Sequence, residues 1–86
     1  MVDKSKEYRI INTLTSMGEV SDSAKHRIGR AGKFLRLSIG MRFEFLYSEE
    51  SKGTLRSSSV LKIDEIDGVI EVYTLNTIYV FELVEK

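Results

Sequence analysis

Residues 60–75, VLKIDEIDGVIEVYTL, set the architecture of this 86-residue chain. At their centre Asp67-Gly68 separates two β-branched, apolar-rich runs. Asp-Gly is one of the few dipeptides that accepts positive φ at both central positions, so the chain reverses there and the flanking runs pair antiparallel. That pairing sets Ile66 against Val69, Ile63 against Val72 and Leu61 against Thr74, with one face of the ribbon turned to a core. The remainder of the chain must pack on this ribbon or decorate it.

Toward the C-terminus, Asn76-Thr77 interrupts the partner strand, and Ile78 to Val84 reads as a last strand, apolar on both faces and so enclosed. Toward the N-terminus, Thr54 to Ser59 flows into Val60 to Ile66, and in so long a run a break or a bulge is expected. Ser48 to Gly53 is a polar hairpin loop. Before it, Met41, Phe43, Phe45 and Tyr47 alternate with Arg42 and Glu44, which predicts a strand with one core face. Residues 19–40 are the least determined. Ser21 or Asp22 could cap a short helix, but Gly29 and Gly32 interrupt it, and a basic loop tethered by Phe34, Leu35 and Leu37 is the expectation. Tyr8 to Thr15 fits a strand better than a helix, because two adjacent isoleucines and several Thr and Asn residues disfavour the latter. Residues 1–7 are charged and small and read as a frayed start.

Five to six short strands, a turn signal about every ten residues and at most one short helix predict a mainly β domain over 1–86. The expected form is a small antiparallel barrel or rolled sheet in the SH3-like or OB-like size class. An α+β, KH-like arrangement is the alternative. At this length folding buries only about 60–65% of the unfolded chain's surface. With no cysteine, neither disulfides nor thiolate zinc sites can assist the 42% hydrophobic residues. No apolar run approaches the roughly 18–20 residues of a membrane span. No signal-peptide core follows Met1, and the reading is a soluble, cytoplasmic protein without a membrane partner.

Thirteen basic and thirteen acidic residues cancel, but they are segregated. Residues 23–43 hold Lys25, Arg27, Arg30, Lys33, Arg36 and Arg42 with no acid, whereas residues 44–86 hold nine acids against four bases. A local basic patch acts even when the total is zero. Within it, Arg27-Ile28-Gly29-Arg30-Ala31-Gly32-Lys33-Phe34 combines cations with two glycines, which would let backbone approach a phosphate closely. It is no Walker A loop, since the glycine spacing is short and Phe34 stands where a magnesium-binding hydroxyl is required. The spacing does match the G-x-x-G with which KH domains clamp nucleic-acid backbone. The expected binding residues are therefore Lys25, Arg27, Gly29, Arg30, Gly32, Lys33 and Arg36, presented to a protein or a nucleic acid.

Other groups read as structural. His26 has no serine or acid placed beside it and is expected to be a solvated loop residue. Ser57 to Ser59 lack a nucleophile elbow. Asp64, Glu65 and Asp67 lack the ligand spacing of a calcium loop. Phe43, Phe45 and Tyr47 fit core, which leaves Tyr73 and Tyr79 as surface candidates for stacking on a base. No catalytic residue, metal ligand or cofactor is expected, and the predicted function is a non-enzymatic binding module. Nucleic-acid binding through the GRAG stretch is the first alternative, and a small enzyme the second.

Three segments, RIGRAGKFL (27–35), GTLRSSSV (53–60) and TLNTIYVF (74–81), together resemble a group of small uncharacterised β-rich proteins of bacteria and mobile elements. Its members share an arginine followed by serine or threonine at a strand start, and a threonine-x-asparagine-serine/threonine-x-tyrosine ending. The resemblance runs from Tyr8 onward, with Thr77 where serine is commoner. It implies a bacterial β-rich fold and transfers no site.

Overall fold

Asp67 and Gly68 both adopt positive φ, 50° and 81°, the backbone signature of the tight turn that their residue types favour. The ladder that leaves this turn pairs Ile66 with Val69 and Ile63 with Val72, as read from the sequence. The computed structural model describes residues 3–15, 17–19 and 25–84, without the side chains of Lys25 and Glu50. The helix cap expected at Ser21 or Asp22 lies outside the described residues.

Six strands follow in order: β1 (Tyr8–Thr15), β2 (Ala31–Arg36), β3 (Arg42–Tyr47), β4 (Thr54–Ile66), β5 (Val69–Thr74) and β6 (Thr77–Leu83). Each pairs antiparallel with the next, and β6 returns to β1, so the sheet closes into a barrel. Closure leaves few free edges, which suits a small chain with long β-branched runs. No α-helix occurs among the described residues; single 3₁₀ turns stand at Lys25–Arg27 and Glu50–Lys52. The α+β alternative is thereby corrected: among the described residues no α-helix flanks Gly29 and Gly32. Among the described residues no helix is long and apolar enough to cross a membrane. Ahead of β1, the Lys6 N–H closes a turn on the Asp3 carbonyl at 3.2 Å.

The core is aromatic. Phe34 sits at its middle, with ring centroids of Phe81, Phe45, Tyr8 and Phe43 at 4.7, 5.0, 5.6 and 6.0 Å. Phe43, Phe45 and Tyr47 are buried as the alternation of β3 requires. Met41, expected on the same face, precedes the strand and is about half exposed. Ile78 to Phe81 are all buried, consistent with a strand enclosed by neighbours on both sides.

Curvature comes from irregular registers. The β4–β5 ladder shifts between Val60 and Lys62, so Val60 faces Thr74 and is buried, while Leu61 turns outward, 55% exposed. The pairing of Leu61 with Thr74 expected from uniform alternation is corrected by this bulge, which rotates one side chain out of the core and the previous one in. Similar shifts occur in β1–β6, β2–β3 and β3–β4. At the β3–β4 shift the Ser57 hydroxyl accepts the Phe43 N–H at 3.0 Å and donates to the Ser58 carbonyl at 2.6 Å, completing hydrogen bonds that the irregular register leaves open. At the β5–β6 turn, Thr74 Oγ1 donates to the Thr77 carbonyl at 2.7 Å and accepts the Thr77 N–H at 3.1 Å.

Candidate functional site

The basic stretch 25–36 is not one loop. A 3₁₀ turn at Lys25–Arg27 leads through a tight turn into strand β2, which occupies Ala31–Arg36. Gly29 has a φ of 93° in that turn, which an L side chain rarely adopts. The turn is stitched to β1, since the Gly29 N–H donates to the Ile10 carbonyl at 2.7 Å and the Ile10 N–H to the Arg30 carbonyl at 2.9 Å.

Gly32 serves a different purpose. It is buried in β2 opposite Tyr47, and a Cβ placed on it would lie 2.9 Å from both the Leu46 carbonyl carbon and the Tyr47 Cα. Its missing side chain lets β2 and β3 approach. The sequence expectation that Gly32 frees backbone for a ligand is therefore corrected.

The predicted cations divide into two sets. Arg27 and Arg30 are half-buried: the Arg27 guanidinium donates to the Tyr79 hydroxyl at 3.3 Å, and that of Arg30 stands 5.4 Å from the centre of the Tyr47 ring. Such stacking is worth about 0.5–1 kcal/mol at partly exposed sites. Tyr79 is itself buried, which corrects its place as a surface stacking candidate. Between this turn and the β3–β4 loop lies a cleft of about 240 Å³, with Arg30 and Lys52 as its cations and Glu49 as its acid. The Lys25 side chain lies outside the described part of the structure.

Lys33 and Arg36 belong to the second set, on the outer face of β2, where they are exposed. Cross-strand pairing carries that face onward: Lys33 neighbours Leu46, and Arg36 neighbours Glu44, which in turn neighbours Arg56 on β4. The Glu44 carboxylate sits between two arginines, 3.2 Å from Arg56 Nε and 3.9 Å from Arg36 Nε. Arg42 is exposed further along β3. Lys33, Arg36, Arg42 and Arg56 thus share the outside of β2, β3 and the first half of β4 with the Glu44 carboxylate, and Leu35 and Leu46 lie among them about half exposed. Arg56 was not among the expected residues. Its signal was the alternation of Thr54, Leu55 and Arg56, which puts the leucine inward and its neighbours outward.

The β4–β5 hairpin carries the opposite sign. Asp64 and Glu71 face one another across the ladder. A shallow cleft of about 400 Å³ is lined by these two with Ile66, Asp67 and Val69. Lys62 Nζ lies 3.2 Å from Asp64 Oδ2 and 5.2 Å from the centre of the Tyr73 ring. The Asp64 carboxylate holds the Lys62 ammonium above its usual range, and the neighbouring Glu71 charge raises the Tyr73 phenol. No group of three His, Asp or Glu side chains suited to a metal occurs among the described residues. His26 is exposed. The Ser57 hydroxyl is engaged with backbone, as described above.

No family model, no curated protein and no solved structure matches the chain.

Proposed function

We propose that the protein is a non-enzymatic binding module that presents the outer face of β2, β3 and the first half of β4 to an acidic macromolecular partner. The supporting observation is the grouping of Lys33, Arg36, Arg42 and Arg56 around Glu44, with Leu35 and Leu46 exposed between them. Exposed apolar area supplies burial, and the surrounding cations supply attraction and orientation. An acidic protein surface suits this face better than a single-stranded nucleic acid. Base stacking needs exposed rings, and the rings nearest this face, Phe43, Phe45 and Tyr47, are buried.

The test is binding of labelled polyglutamate, single-stranded DNA and duplex DNA to the wild-type chain and to K33E/R36E/R56E, over a salt series. Polyglutamate should bind at low salt, weaken as salt rises and lose about tenfold or more in affinity in the variant. Absence of binding to all three at low salt would overturn the reading.

A further inference from the structure

We infer that the acceptor for the basic face is a second copy of this chain, docked through the groove on its β4–β5 hairpin, so that copies associate head to tail. This rests on the proposed role of the basic face and names its partner.

The hairpin groove has an apolar floor and an acidic border. Ile66 is 70% exposed and Val69 lies across from it, while Asp64, Asp67 and Glu71 line the same depression. The basic face repeats that plan with the signs reversed: Leu35 and Leu46, 52% and 45% exposed, stand among Lys33, Arg36 and Arg56. Each surface has what the other lacks, and like-charged pairing of two basic faces or two grooves is disfavoured. The total charge of zero removes the long-range repulsion that normally separates copies of a charged protein.

The long strand β4 carries part of both surfaces: its first half joins β3 in the basic face, and its second half joins β5 in the groove. The contact pairs unlike surfaces, so a single contact leaves one basic face and one groove open to further copies.

Sedimentation velocity at rising protein concentration tests this. The wild-type chain should show a sedimentation coefficient that increases between about 10 μM and 1 mM at low salt. That increase should be lost at about 0.5 M salt, where surface charges are screened. K33E/R36E/R56E spoils one surface and D64K/E71K the other, so each variant alone should remain monomeric. An equimolar mixture should associate again, because the intact pair of surfaces and the doubly reversed pair are both complementary. A wild-type chain that stays monomeric throughout, or one whose association survives either set of reversals, would overturn the inference. If that monomeric chain still binds polyglutamate, the basic face retains its proposed role and only the self-pairing fails. If it binds neither, both fall.

Discussion

The hairpin around Asp67-Gly68 and the segment that carries Gly29 and Gly32 into β2 are both marked by glycine, for different physical reasons. At the hairpin the residue types act locally. Positive φ at Asp67 and Gly68 reverses the chain, and the register from Ile66 and Val69 to Ile63 and Val72 follows. A Cβ on Gly68 would meet only Leu83 Cβ, at an ordinary 3.7 Å. Gly32 has the reverse profile: its backbone is not in the left-handed region, and the space for a Cβ is taken by β3. One glycine is required for what its own backbone does, the other for what a distant strand does. Local sequence therefore speaks for the first and is silent on the second.

Four substitutions probe this contrast, in descending order of effect. Phe45→Ala removes a fully buried ring that packs on Phe34 and Phe81, and should cost about 3–5 kcal/mol, most of the stability a domain of this size has. A soluble alanine variant with an unchanged urea midpoint would mean that this face of β3 is not core. Gly32→Ala should cost about 3 kcal/mol, since the added carbon meets main chain that can yield only by separating β2 from β3. Thermal unfolding provides the measure, and a loss smaller than that of Gly68→Ala would remove the distinction drawn here. Gly68→Ala itself should cost roughly 1 kcal/mol, the penalty of positive φ without a clash. If its denaturation midpoint does not move, the turn conformation is wrong. Lys33→Glu should change stability by less than about 0.5 kcal/mol, because the side chain is exposed. A large loss there would give the lysine a structural role on the outer face.

What the sequence made readable follows the same division. The turn, the inward face of Phe43, Phe45 and Tyr47, and the enclosed run Ile78 to Phe81 each declare themselves within about eight residues by residue type and alternation. The barrel class follows from the spacing of such signals. Leu61 is misplaced by the sequence, which sets it against Thr74, because whether Val60 or Leu61 turns inward depends on a bulge demanded by curvature across several strands. Ala31–Arg36 read as loop because Gly32 suggested freedom, while its burial against β3 is a tertiary fact. The basic site was legible as a charge segregation. Its division into outward Lys33 and Arg36, half-buried Arg27 and Arg30, and the additional Arg56 required the register of β2, β3 and β4.

The seam between β1 and β6 bears on how the molecule forms. Each of the other ladders joins consecutive strands, so short chain closures assemble β2 through β6 as a curled ribbon. The β1–β6 ladder sets Tyr8 against Leu83 and therefore links almost opposite ends of the described chain, whereas β1 meets β2 at only two pairs, Tyr8 with Gly32 and Arg9 with Ala31. Loop-closure entropy makes such a distant pairing late. Folding is then expected to proceed by ribbon first and ring last, with Ile10 and Tyr8 completing the core as β1 docks. Until that moment the edge of β6 that pairs with β1 is unpaired, and the rate of docking sets how long it stays open.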